Sequence, residues 1–380
     1  MRKKLIGIDG RFFAAAGPGR YTKAIIEHLE KVDKENRYIV FLRKSSFDSF
    51  EPKNPNFRKV LAEYPWYSWK EQFGFLFKVL SYRLDLLYVP HFNIPVLYSK
   101  KIVTAIPDIT MHFYSTDAGT SLWKPYFWVK KLVYKMVVPW ALLRTKMNIV
   151  PSNDVKEDLV TFYPFISKDK YIVAHEGVDP DLLKTSLKTP DVLEKYGIGK
   201  KYLLYVSSMS DHKNVDRLVE AFKILREEHG YEGQLVLVGK KDLFSARIEE
   251  LVKKMGLSEW IIMPGMRNFV SDEEVVALRK GAFAYVFPSL KEGFSLTPLE
   301  AQALGIPCII SSIPCHREVY GDTVLYFDPK DANDIAKQVN RVLKNGKLHG
   351  ELVEKGRENV KKYSWIKTAE ITRDVFKKFL

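Results

Sequence analysis

The chain is poor in cysteine and has no long apolar run. Its 380 residues include two cysteines, Cys308 and Cys315. Their spacing matches no metal-ligand pattern, and one pair cannot build a disulfide framework. Reduced thiols and a cytoplasmic setting are therefore expected. No apolar stretch reaches the roughly 18–20 residues that a bilayer-spanning helix needs. Residues 1–9, MRKKLIGID, are too short and too soon charged again for a signal peptide, and read as a first strand. No low-complexity segment and no internal repeat beyond a two-half organisation is visible. No Asp/Glu cluster of the metal-binding kind stands out, so neither a metal nor a resident cofactor is expected. A sharper local absence is that residues 118–153 contain no acid.

What is present describes a globular protein: 46% hydrophobic and 28% charged residues. The length suffices for two domains. The formal charge of +14 is unevenly placed. Residues 1–180 carry 28 Lys/Arg against 18 Asp/Glu, and the remainder carries 32 against 28. The basic excess is thus an N-terminal property. It attracts polyanions: nucleic acid, phosphorylated substrates or an anionic membrane face. The acid-free stretch 118–153 adds six bases (Lys124, Lys130, Lys131, Lys135, Arg144, Lys146) and six aromatics (Trp123, Tyr126, Phe127, Trp128, Tyr134, Trp140). Bases with interfacial aromatics on a helix suit an anionic membrane surface. Residues 64–70, YPWYSWK, supply more aromatics. The competing reading places most of these rings in a domain core, which leaves the missing acids unexplained.

Strand-like apolar runs alternate with helical stretches. The strands are expected at 5–9, 38–42, 86–89, 102–106, 147–151 and 171–174, then at 202–207, 235–239, 260–264, 284–288, 308–311 and 324–327. Segments such as 215–226 and 271–280 have helical periodicity. Short, unalternating strands between helices mean parallel sheets covered on both faces. A boundary is expected near Gly177-Val178-Asp179-Pro180 and the polar stretch to Lys201. In open sheets of this kind ligands bind beyond the carboxyl ends of the strands.

The most informative segment is Glu292-Gly293-Phe294-Ser295-Leu296-Thr297-Pro298-Leu299-Glu300. It follows the strand-like run 283–288 and leads into Ala301-Gln302-Ala303-Leu304-Gly305, a helical stretch ended by glycine. A strand, a loop with a carboxylate and a helix start together make an anion site. The N–H groups of the first turn point outward, and the helix dipole favours negative charge there. Pro298 suits the first helical position. Thr297 to Glu300 also reads as a capping box, which by itself would account for Glu300. It leaves Glu292 and Gly293 unexplained, and glycine at that point suggests a close approach to the backbone.

The ordered run from Ala284 through Glu300-Ala301 to Gly305-Ile306-Pro307 resembles the signature of the family 4 glycosyltransferases, which have the GT-B fold. The match continues in Glu318-Val319-Tyr320-Gly321-Asp322 and Leu325-Tyr326-Phe327-Asp328-Pro329. The resemblance implies an α/β chain with two doubly wound Rossmann-like domains facing a cleft. Residues 1–178, with the final helix 366–380, would form the acceptor side. Residues 179–365 would bind the nucleotide sugar. The implied activity is a hexosyltransferase, acting with retention, that moves a sugar from a nucleotide diphosphate donor to a glycan or lipid-linked acceptor. A mannosyltransferase of surface polysaccharide or glycolipid synthesis is the nearest subclass by overall look.

By the same resemblance Glu292 contacts the donor sugar and Glu300 the ribose hydroxyls. Gly293 and the N–H groups of Phe294, Ser295 and Leu296 face the phosphates. Lys213, in the loop after the second domain's first strand, neutralises the diphosphate. Two departures stand in that loop: Ser208 and His212 occupy positions where relatives carry arginine. Lys240 and Lys241 are candidates to supply the missing charge. Gly17 and Gly19 look like the family's glycine loop. Asp108 is kept from a His-Asp pair whose histidine is here Pro107. His91 stands near the neighbouring strand, where a lone histidine is more often structural. The implied mechanism needs no metal, and the departing phosphate would take the acceptor's proton, so no protein general base is named. The rival readings are a GT-B epimerase, which would isomerise free sugar nucleotide, and a basic nucleic-acid-binding protein, for which no recognition motif is present.

Overall fold

In a computed structural model the described residues are 3–15, 17–114, 124–199 and 201–380. The chain divides into two compact units. One comprises Met1–Ile109, Leu122–Glu176 and Ser364–Leu380, the other Thr110–Ser121 and Gly177–Tyr363.

The first unit is built on seven strands: β1 (Leu5–Asp9), β2 (Arg37–Leu42), β3 (Phe57–Leu61), β4 (Leu86–Val89), β5 (Ile102–Ala105), β6 (Met147–Val150) and β7 (Tyr171–Val173). Their order is β3-β2-β1-β4-β5-β6-β7, and every pairing is parallel. Strands β4, β5 and β6 are buried along their whole length. That is why they read as continuous apolar runs: helices cover both faces of the sheet. β3 escaped the sequence reading. It is an edge strand, FRKVL, in which Arg58 and Leu61 are exposed and Lys59 half-buried, so its pattern is interrupted.

Three helices of this unit matter below: α1 (Pro18–Val32), α2 (Leu76–Ser81), which continues a π-helical turn at Glu71–Phe75, and α3 (Lys124–Arg144). The C-terminal helix, Trp365–Phe379, also belongs here. Trp365 packs edge-on to Tyr21 at 5.6 Å, and Phe376 meets Tyr88 at 5.1 Å. Arg373 Nη1 donates to Val32 O at 3.2 Å, across 341 positions of sequence.

The second unit holds β8 (Tyr202–Val206), β9 (Gln234–Val238), β10 (Ile261–Ile262), β11 (Ala284–Phe287), β12 (Cys308–Ser311) and β13 (Leu325–Phe327). The order is β10-β9-β8-β11-β12-β13, again all parallel. Its relevant helices are α4 (Val215–Glu227), α5 (Asp272–Gly281), α6 (Leu296–Ala303) and α7 (Pro314–Tyr320). Cys308 and Cys315 are both free and buried. In each sheet the strand order reverses once, between β1 and β4 and between β8 and β11. At such a switch point the loops leaving two neighbouring strands diverge to opposite faces, and a ligand site opens between them.

Candidate functional site

The loops that leave β8 and β11 are fastened to each other. Leu290 N donates to His212 O at 2.8 Å. Asn214 caps α4 in the left-handed region, at φ 57°. Its side-chain amide donates to Pro288 O at 3.1 Å and to Pro329 O at 2.8 Å. One amide thus ties together the chain at the ends of β8, β11 and β13. Asparagine tolerates this backbone conformation better than any residue but glycine, because its short polar side chain bonds locally.

Across that junction Lys213 Nζ lies 2.6 Å from Glu292 Oε1. Glu292 and Lys213, expected from the sequence to meet the donor sugar and the diphosphate, are brought into direct contact. Both side chains are largely withdrawn from water, at 13% and 11% exposure. Burial opposes ionisation of Glu292, but the charges of Lys213 and His212 and the hydrogen bond from Lys213 outweigh it. Its carboxyl is held below the usual range.

The helix that follows starts earlier than expected. Ser295 takes the left-handed conformation, φ 67°, and caps a helix that begins at Leu296. Pro298 is therefore its third residue rather than its first, and Thr297 is not the cap. The capping-box reading of Glu300 fails for the same reason. Glu300 is 2% exposed, and its Oε2 lies 2.7 Å from Nη2 of Arg279 on α5. An ion pair from another helix replaces the local cap.

Two side chains, His316 and Tyr320, hold Ser295 in place. His316 Nδ1 lies 2.8 Å from Ser311 O, a group that only accepts, so Nδ1 carries the proton. Nε2 then accepts from Ser295 Oγ at 2.8 Å. Tyr320 Oη donates to Ser295 O. His316 is fully buried, and burial pushes its pKa down to about 4. The ring is neutral at pH 7 and works as a fixed strut. The first turn of α6 leaves N–H groups without intrahelical acceptors, beside the Lys213–Glu292 pair. This arrangement can hold an anion at the helix start and accept hydrogen bonds from hydroxyls at Glu292.

Gly293 and Phe294 lie in this loop, both buried. Ser208 is exposed, with its Oγ 3.1 Å from Ser210 Oγ. Lys240 and Lys241 are exposed after β9. Gly17, Gly19 and Asp108 belong to the first unit. Gly17 heads α1 at φ 76°. A Cβ on Gly19 would meet Phe12 O at 2.6 Å, so this glycine serves the packing of its own loop. Asp108 is exposed beyond β5. His91 stacks on Phe12 at 4.5 Å, and its Nδ1 accepts from Asn93 N at 3.2 Å. Burial and Arg11 push its pKa down to about 3. Its role in this geometry is structural.

Sequence reasoning missed a charged cluster at the switch point of the first sheet. Arg11, 1% exposed, meets Asp9 at 2.7 Å and Glu71 at 2.6 Å. Asn93 Nδ2 donates to the same Glu71 oxygen at 2.7 Å. Glu71 lies 60 positions from Arg11, so no local pattern announces the pair. Among the described residues, no group of three or more His, Cys, Asp or Glu could hold a metal ion.

Two sequence-family models match, one in each half. Residues 190–359 match "Glycosyl transferases group 1", and residues 15–182 match "Glycosyltransferase Family 4". The chain belongs to the family 4 glycosyltransferases. Its two parallel sheets are those of the GT-B fold. O-antigen chain mannosyltransferase B of Escherichia coli is 30% identical over 187 residues, covering 49% of this chain and 48% of that protein. N-acetyl-alpha-D-glucosaminyl L-malate synthase of Bacillus anthracis is 28% identical over 292 residues, covering 73% of this chain and 70% of that one. Among solved structures, Anabaena HepE in complex with UDP and glucose superposes with a TM-score of 0.76 at 14% identity, covering 99% of this glycosyltransferase and 100% of HepE. The chain spans about half or less of the length of the first curated relatives that it matches.

Proposed function

We propose that this glycosyltransferase moves a hexose from a nucleotide diphosphate sugar to a glycan or lipid-linked acceptor, with retention at the anomeric carbon. The observation that carries the reading is the buried Lys213–Glu292 pair at 2.6 Å, set beside the N-terminus of α6. In this reading the Lys213 ammonium and the N–H groups of Phe294, Ser295 and Leu296 take the diphosphate, and Gly293 admits it. Glu292 accepts from hydroxyls of the sugar, and Glu300 from the ribose. The bond from C1 to the β-phosphate oxygen breaks, and the acceptor oxygen bonds to C1 on the same face. The acceptor's proton leaves on the departing phosphate. Charge grows on that phosphate, so preset donors there stabilise the transition state most. The step is proposed to run without a metal.

The mannosyltransferase relative supports mannose as the sugar. The protein is proposed to work at the cytoplasmic face of a membrane as a peripheral protein. No described helix is long and apolar enough to cross one.

The test is calorimetry across uridine and guanosine diphospho-sugars, followed by turnover with and without acceptor and with a chelator. We expect one donor to bind, transfer only when acceptor is present, an unchanged anomeric configuration by NMR, and indifference to the chelator. Failure of every donor to bind would sink the reading. Isomerisation of free donor without acceptor would replace it with an epimerase.

A further inference from the structure

We infer that the first unit docks on an anionic lipid bilayer through one apolar face shared by the α2 segment, α3 and the loop between β4 and β5. This rests on the membrane reading above and gives it a location. The helical segment from Trp69 onward carries Trp69, Phe73 and Phe77 at intervals of four, hence on one side. Trp69 is 80% exposed and Phe77 68%. On α3 the same interval sets out Trp128, Leu132, Met136 and Trp140, over about 18 Å of helix. Leu132 is 60% exposed and Met136 65%.

The opposite sides of these helices are buried together. Phe75, Leu76 and Val79 share a core with Ala141, Ile94 and Tyr98. The exposed sides are joined at their border by the loop after β4. Val96 N donates to Gln72 Oε1 at 2.8 Å, and Val96 O accepts from Trp140 Nε1 at 3.2 Å. Leu97, next along this loop, is itself exposed. The result is a continuous face and not a scatter of single residues. Isolated exposed apolar residues need no explanation, whereas a contiguous patch marks an interaction surface.

Charge selects the occupant. Residues 64–84, 94–101 and 124–146 contain eleven Lys or Arg and a single acid, Glu71. That acid is buried against Arg11. Lys131 Nζ lies 5.0 Å over the Trp128 ring, and Lys135 is exposed on the same helix. A soluble polyanion would use the bases and leave the apolar stripes in water. An anionic bilayer takes both: phosphates meet the ammonium groups, and the rings enter the headgroup boundary. Residues 115–123, including Trp123, lie outside the described residues, as do the side chains of Lys124, Tyr126, Phe127 and Lys130. The apolar stripes do not include them, and nine of the eleven bases remain without Lys124 and Lys130.

The full chain is sedimented with neutral phosphatidylcholine vesicles and with vesicles that also contain phosphatidylglycerol. Three forms are compared: wild type, Phe73→Ser with Phe77→Ser, and Lys131→Glu with Lys135→Glu. All replaced side chains are at the surface, and circular dichroism checks the fold. We expect the wild type to bind anionic vesicles more strongly than neutral ones, with part of the binding surviving salt that screens the charges. The phenylalanine pair should weaken binding by about tenfold or more and remove the salt-resistant part. The lysine pair should remove the salt-sensitive part. Donor affinity should stay unchanged in both. No binding of wild type to either vesicle overturns the membrane reading and this face with it. Full binding by the phenylalanine variant, with loss in the lysine variant, leaves the membrane reading standing and overturns the shared face. Self-association of wild type that the phenylalanine pair abolishes, without vesicle binding, assigns the face to a second copy and likewise overturns the proposal.

Discussion

Glu300, the second glutamate of the signature loop, is paired with Arg279 of the preceding helix at 2.7 Å, and both are buried. Removing one member strands the other without compensation. Arg279→Met should cost about 3–5 kcal/mol of stability, read as a lowered melting temperature. Arg279→Met with Glu300→Leu should regain most of that loss, because replacing both members of a buried pair is often neutral. Nucleotide affinity separates the two duties of Glu300. It should stay low in the double variant even as the melting temperature recovers. Recovered affinity would remove Glu300 from the donor site.

Lys213→Met should lower turnover by about 10²–10³-fold, a loss larger than its effect on nucleotide binding. It should also change the response to acid. Glu292 ionises below its usual range when folded, so its pair stabilises fully above the ordinary carboxylate range and is lost as pH falls through the folded value. The stability gap between wild type and variant should therefore be widest near neutrality and close on acidification. A gap independent of pH would show that the pair does not carry it.

His316 titrates in the same direction for a different reason. Burial pushes its pKa from an ordinary 6.5 to about 4. Between those values the unfolded chain binds the proton and the folded one resists it. Stability due to a neutral His316 is complete above about 6.5 and is lost as pH falls towards 4, about 3 kcal/mol in all. His316→Gln should flatten the pH–stability slope over that window by about one proton. An unchanged slope would contradict the neutral, buried ring.

Asn214 offers a test of how the loops are held. Asn214→Gly keeps access to φ 57° but loses both bonds to Pro288 O and Pro329 O. Asn214→Ala loses the bonds and adds left-handed strain of about 1–2 kcal/mol. Both should lower turnover, and the alanine variant should melt below the glycine variant. Equal melting temperatures would show that the conformation is not enforced.

The strands were legible because a parallel strand covered on both faces leaves an unbroken apolar run, as in β4, LLYV, and β12, CIIS. β3 was not, because an edge strand keeps polar residues on its open side. The loop from Glu292 to Leu296 stood out as a carboxylate and a glycine set between a strand-like apolar run and a helix start. The partners of its carboxylates could not all be found. Lys213 was picked out by its loop, but Arg279 sits inside an amphipathic helix and looks like any other helical base. The start of α6 was misplaced because Pro298 gave a stronger local signal than Ser295, whose left-handed turn depends on His316 and Tyr320. The apolar stripe on α3 was partly visible as an acid-free aromatic stretch. Its continuation through Phe73 and Phe77 depends on tertiary structure that spacing does not show.

The return of the C-terminal helix to the first unit sets an order of events during synthesis. Residues up to Glu176 leave the ribosome well before Ser364 does. At about 5–20 residues per second, the first unit waits about 10–40 s for its last helix. Through that interval Tyr21 and Tyr88 lack the rings of Trp365 and Phe376 that cover them. The second unit, by contrast, has every strand it needs as soon as β13 emerges. The half made first is therefore the half finished last, and a nascent-chain chaperone that holds apolar surface would engage there.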